Sequence, residues 1–105
     1  TILLNLLINA KEAILRNSVK NGVIKLKEYF KDDTIYFDVS DNGKGIKEDI
    51  IHRIFEPYFS TKESQHGVGL GLYTCKIIIE THLNGSIEAT NHNTGARFII
   101  KLPIK

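Results

Sequence analysis

The chain has 105 residues, 42% of them hydrophobic and 25% charged, which suits one globular domain with a core of ordinary size. The 14 Lys and Arg against 12 Asp and Glu leave a net charge of +2, scattered rather than blocked and too weak to argue for a nucleic-acid surface. A single cysteine excludes an internal disulfide and suits a reducing cytosol, and no apolar run approaches the roughly 20 residues of a membrane-spanning helix.

The chain starts without Met, inside a run that reads as a helix with no capping residue before it. A fragment of a longer protein is therefore expected, with the start of the domain cut away. That first helix is expected to reach about Asn17, ahead of the stop signal Gly22. Its apolar residues, among them Leu3, Leu6, Leu7, Ala10, Ala13 and Ile14, surround it almost completely. Yet Asn5 and Asn9 stand one helical turn apart and so share a face. A buried amide without a partner costs about 1–3 kcal/mol, so this pair calls for a reason.

Further along, "VIKLKEYF" (23–30) alternates imperfectly as a strand, "KDD" turns, and "TIYFDVS" (34–40) returns to complete a hairpin. "DNGKGI" (41–46) is loop, and "KEDIIHRIF" (47–55) reads as a short helix with acids near its start. "EPYFSTKESQHGVG" (56–69) is a connection long enough to be functional or mobile. "LGLYTCKIIIETHL" (70–83) is a strong helix closed by Asn84-Gly85, with Cys75 expected to be buried and inert. "SIEAT", a turn at "NHNTG" and "ARFIIKLPI" form a closing hairpin. This order predicts a single α+β domain over 1–105, a two-layer sandwich of four largely antiparallel strands with helices on one face.

Three stretches carry chemistry, each with two readings. "GVGLGL" places Gly67, Gly69 and Gly71 ahead of the last helix, where backbone N–H groups could meet an anion or the loop could simply need unusual φ values. Asp41 at a strand end could cap its own turn, or hold a carboxylate beside a pocket to accept from an exocyclic amine such as adenine's. The carbonyl oxygens of Asn5 and Asn9 would suit Mg²⁺, or the amides could bond another helix. His52, His66, His82 and His92 show no metal spacing and are expected to be solvated at the surface.

Taken together in order, "NLLINAKEA", "DNGKGI", "IFEPYFSTK", "GVGLGL" and "NTGARF" resemble the N, G1, F, G2 and G3 boxes of the Bergerat-fold ATP-binding superfamily. That superfamily includes sensor histidine kinases, DNA gyrase, the Hsp90 chaperones and the MutL repair proteins. "IFEPYFSTK" with a short lid and "GLGLY" looks most similar to the catalytic domain of a sensor histidine kinase of the nitrogen-regulator type. The resemblance implies the sandwich inferred above, with ATP and Mg²⁺ held between helices and a lid from about Ser60 to His66. It makes Asn9 the main metal ligand with Asn5 assisting, and Asp41 the reader of adenine. Gly43 and Gly45 would allow the nucleotide's approach, and Ala13, Ile46, Leu72 and Phe98 would be apolar neighbours of the base. Gly67, Val68, Gly69, Leu70 and Gly71 would shape the lid end and phosphate loop, with Lys62 a phosphate partner. Phe55, Pro57 and Phe59 would anchor the lid. The sequence departs from the family where Ala96 replaces a common Thr, leaving Thr94 to supply any hydroxyl, and where Glu12 replaces a common basic residue.

Members that hydrolyse ATP place a Glu where this chain has Asn5, and an amide cannot serve as a base for water. The resemblance therefore implies transfer of the γ-phosphoryl group to a histidine on a separate dimerisation domain of the same parent protein, then to a response regulator receiver domain. The fragment alone is not expected to phosphorylate itself. The parent would be a homodimer with this domain in the cytoplasm, whether or not it is membrane-anchored, with no membrane insertion by the domain and no nucleic-acid partner. A serine kinase of the anti-sigma-factor type and a non-catalytic nucleotide-binding module are the alternatives.

Overall fold

α1 runs Ile2–Arg16 in a computed structural model that describes residues 2–57, 59 and 71–104. Leu, Ala, Lys, Glu and Arg supply much of its helix propensity, and Arg16 in the last turn faces the negative end of its dipole. β1 (Ile24–Lys31) and β2 (Thr34–Asp41) follow as an antiparallel hairpin. Its two-residue loop holds Asp32 at φ 51° and Asp33 at φ 60°, the positive values that match the twist of the flanking strands. α2 (Gly71–His82), β3 (Ser86–His92) and β4 (Gly95–Pro103) complete the chain. The sheet has four strands in the order β1-β2-β4-β3, every neighbouring pair antiparallel. The α+β sandwich predicted from the sequence is the fold observed.

Both helices pack on one face. Leu6 of α1, Ile79 of α2, Val39 of β2, Ile87 of β3 and Phe98 and Ile100 of β4 form the core between the layers, with Ile54 closing it from the connection. α1 touches β2 and α2 touches β3, so the helix layer barely reaches β1. Every residue of β1 is exposed, including Leu26 at 49% and Phe30 at 61%.

The opposite face of the sheet is polar. Asp38 is buried there, and its Oδ2 accepts from Arg97 Nε at 2.9 Å and Nη2 at 2.6 Å. That hydrogen bond raises the Arg97 pKa above its ordinary range, with the Coulombic attraction of Asp38 adding to it. Tyr29 and Tyr36, cross-strand partners, stack with ring centroids 4.8 Å apart.

Two expectations about elements need correction. Residues 47–55 hold only a 3₁₀ turn over Ile51–Arg53, with Arg53 N donating to Ile50 O and Glu56 N to Arg53 O. Nine residues containing the β-branched pair Ile50-Ile51 and followed by Pro57 give a helix little to propagate, and burying Ile54 decides the path instead. The closing hairpin is longer than predicted, because Asn91 and His92 continue β3 and Gly95 begins β4, leaving Asn93 and Thr94 as its loop.

Candidate nucleotide-binding site

α1 carries two stripes. Leu6 and Ala10 enter the core, while Asn5, Ile8, Asn9, Glu12, Ala13 and Arg16 repeat at helical spacing along a cavity of about 710 Å³. Asp41 from the end of β2, Gly45, Ile46 and Ile50 from the following loop, Gly71 and Leu72 from α2, and Ala96 and Phe98 from β4 supply the other walls. The structure thus brings Asn5, Asn9, Ala13, Asp41, Gly45, Ile46, Gly71, Leu72 and Phe98 to one cavity. Lys62, Gly67, Val68, Gly69 and Leu70, and the expected lid from Ser60 to His66, lie outside the described residues.

Asp41 is 8% exposed, and its carboxylate is oriented by the backbone. Gly43 N donates to Oδ1 at 2.8 Å and Ala96 N donates to the same oxygen at 3.4 Å. No described residue donates to Oδ2. The carboxylate therefore holds its own turn with one oxygen, the first of the two readings the sequence left open.

The loop after Asp41 is tied down by three asparagine side chains. Asn17 Nδ2 donates to Gly43 O at 2.8 Å and to Ala13 O at 3.0 Å. Asn42 accepts from Val23 N at 2.8 Å and donates to Asn21 O at 2.8 Å. Asn91 accepts from Ile46 N at 2.7 Å and donates to Ile46 O at 2.6 Å, as a neighbouring strand would. The glycines of this loop answer to the same crowding. A Cβ on Gly43 would sit 2.9 Å from the Ala13 Cβ, and Gly45 at φ +79° adopts a backbone conformation that side chains disfavour. Sequence reading missed Asn17 and Asn91, since an Asn at a helix end or on a strand has many ordinary uses.

Asn5 is half-buried and its Nδ2 donates to the Cys75 Sγ at 3.6 Å, so an α2 thiol holds the amide while no described residue donates to its carbonyl oxygen. Asn5 and Asn9 fit Mg²⁺: both are hard oxygen donors, one turn apart on one wall of the cavity, and this ion takes few protein oxygens and leaves the rest to water and phosphate. Among the described residues no cluster of three or more His, Cys, Asp and Glu offers a protein-only metal site.

Cys75 is buried as expected, at 1% exposure. Phe55 meets Phe98 edge-on at 6.3 Å, and Phe59 packs against the core, which sets the F-box aromatics beside the cavity. Thr94 does not line this cavity and cannot replace the hydroxyl missing at Ala96 there; it lines a separate cavity on the other side of the sheet. Its place in the loop of the β3–β4 hairpin carries it past the buried end of β2. His52 and His82 are exposed, whereas His92 is half-buried with Nε2 buried and unpartnered among the described residues. The correction follows from the longer β3, which makes His92 a strand residue rather than part of a solvated turn. No helix among the described residues is long and apolar enough to cross a membrane.

Comparison with known proteins agrees with this architecture. Residues 1–105 match the family described as "Histidine kinase-, DNA gyrase B-, and HSP90-like ATPase", and the chain belongs to that family. The sensor protein KdpD of Clostridium acetobutylicum is 40% identical over 97% of this chain, which spans 11% of that protein. The nucleotide-free catalytic domain of the histidine kinase ThkA superposes with a TM-score of 0.81 at 33% identity, covering 97% of this chain and 63% of that one. Full-length ShkA in complex with AMPPNP superposes with a TM-score of 0.78 at 29% identity, covering 97% of this chain and 20% of that one.

Proposed function

We propose that the cavity binds ATP with Mg²⁺ and presents the γ-phosphoryl group to a histidine on a separate dimerisation domain of the same parent protein. The observation that carries this reading is Asp41, a buried carboxylate with Oδ1 fixed by two backbone donors and Oδ2 left for a ligand. A fixed acceptor among Ala13, Ile46, Leu72 and Phe98 suits a flat apolar ring with an exocyclic amine. It disfavours a base that offers a carbonyl at that point. Asn5 and Asn9 would hold the metal, which when bound neutralises phosphate charge.

The chain's own residues then divide the work. Asp41 selects the base, the α1 stripe of Asn5 and Asn9 sets the side from which the phosphates are held, and Lys62 with the Gly67–Gly71 loop adds phosphate contacts. Asn5 withholds a base from water, so the phosphoryl group waits for its protein acceptor. The receiver of that histidine's phosphoryl group would be a response regulator, and the parent a homodimer with this domain in the cytoplasm. Titration calorimetry with ATP and GTP, each with Mg²⁺, tests the site: ATP should bind at least tenfold more tightly, and equal affinities would overturn the role of Asp41. With a helical domain carrying the histidine added, label from γ-³²P-ATP should appear there as acid-labile phosphohistidine. Acid-stable label on serine would point to the anti-sigma-factor type of kinase.

A further inference from the structure

The sheet's outward face holds a second cavity, of about 550 Å³, which the nucleotide reading does not use. Alternation along β1 and β2 points Lys25, Lys27, Asp38 and Ser40 to this side, and the pairing of Ser40 with Arg97 brings Arg97 alongside. All five line the cavity, with His92 at the end of β3. Its lining carries three cations, Lys25, Lys27 and Arg97, against the two carboxylates of Asp38 and Asp41. The Asp38 carboxylate is already neutralised by Arg97 through both contacts to Oδ2. Asp41, which also reaches this wall, has Oδ1 committed to the Gly43 and Ala96 N–H groups. Lys25 and Lys27 form no ion pair with a described residue, and they lie two apart on one strand, with both ammonium groups on the same side. His92 adds an unusual feature, a buried Nε2 without a described partner, which is rare enough in folded proteins to need an explanation.

We propose that this outward cavity is a second anion site, taking a phosphate- or carboxylate-bearing ligand between Lys25, Lys27 and His92, with the Asp38–Arg97 pair as a fixed wall. The division of labour follows from partner state. Arg97 is pinned by Asp38, which cancels its charge, so the pair gives the site a wall whose position does not depend on a ligand. Lys25 and Lys27 are free to close on an oxyanion from the β1 side. A cavity of this size admits a ligand larger than one inorganic ion, within the usual range for small-molecule sites. The site lies on the opposite side of the sheet from the α1 stripe, so it does not depend on the nucleotide reading.

The test is ¹H–¹⁵N NMR of the protein titrated with inorganic phosphate and, separately, with citrate, at constant ionic strength made up with NaCl. Saturable shifts centred on Lys25, Lys27, Ser40, His92 and Arg97 support the proposal, and the arm that saturates identifies the anion: phosphate, carboxylate, or oxyanions in common. In Lys25→Gln/Lys27→Gln, whose changes are exposed and leave the Asp38–Arg97 pair intact, the apparent affinity should fall roughly three- to tenfold. Three outcomes overturn it: non-saturating shifts spread over all surface lysines, which would leave Lys25 and Lys27 only as guards of an edge strand; saturable shifts confined to the α1 stripe; or unchanged affinity in the double variant with its spectrum still well dispersed.

Discussion

Asp41 is a carboxylate with Oδ1 held by two backbone donors and Oδ2 assigned to the base in the proposed site, and a single-atom change separates the two. In Asp41→Asn the carbonyl oxygen can still accept from Gly43 N and Ala96 N, while an amide nitrogen takes the place of Oδ2. An NH₂ facing the amine of adenine puts donor against donor. ATP affinity should fall roughly ten- to hundredfold by calorimetry, while the urea midpoint changes little. Asn91 is the complementary case, a residue that touches no ligand and should still matter. Removing its amide in Asn91→Ala strips both the N–H and the C=O of Ile46 of their partners. The expected cost is about 1–2 kcal/mol in urea unfolding with an unchanged m-value, together with weaker nucleotide binding because Ile46 is a cavity wall. At this scale the sequence was partly legible. Asn5, Asn9 and Asp41 stood out because amides in an apolar helix and an acid at a strand end break a pattern. Asn91 broke none, since its importance lies in a contact with a residue 45 positions away.

Elements were legible where one periodicity ruled. α1 and α2 repeat every third or fourth residue, and the two hairpins turn at acidic or Asn-rich loops, so their positions could be read from local pattern. The 3₁₀ turn at Ile51–Arg53 was not, because a short apolar stretch with two charged ends fits a helix until the burial of Ile54 is known. The cross-strand pair Asp38–Arg97 was also hidden, as nothing in either strand alone announces its partner. This pair makes a test of how β2 and β4 are held together. Arg97→Ala leaves a buried carboxylate without its cation, and after discounting for the 40% exposure of the arginine side chain a loss of about 1–3 kcal/mol is expected. Because the folded state raises the Arg97 pKa, the pair's contribution is complete below the unfolded value and disappears only as pH rises through the folded one. Both lie beyond the ordinary alkaline range, so the parent chain should show no loss from this pair between pH 7 and roughly 10. Arg97→Lys moves the same dependence down to the lysine range, and its stability relative to the parent should fall as pH passes about 10.4.

On the scale of the whole molecule, α1 and α2 meet each other within the helix layer, and the chain's only thiol lies where they meet. Cys75 is 1% exposed and accepts from Asn5, the residue one turn before Asn9 on the cavity wall. An aromatic disulfide reagent has no route to that sulfur while the helices are closed. Its reaction rate is therefore a clock for sub-global opening, slower than labelling of an exposed thiol by the fraction of time the helices are parted. An opening free energy of about 4 kcal/mol would read as roughly thousandfold protection. Mg²⁺ with ATP should slow the clock further, since a ligand that bridges the α1 stripe to Leu72 and Asp41 adds its own binding energy to the work of opening. GTP at the same concentration should leave the clock almost unchanged. One buried sulfur thus gives each nucleotide's grip on the helix layer as a colour change in a spectrophotometer, with no probe attached to the nucleotide.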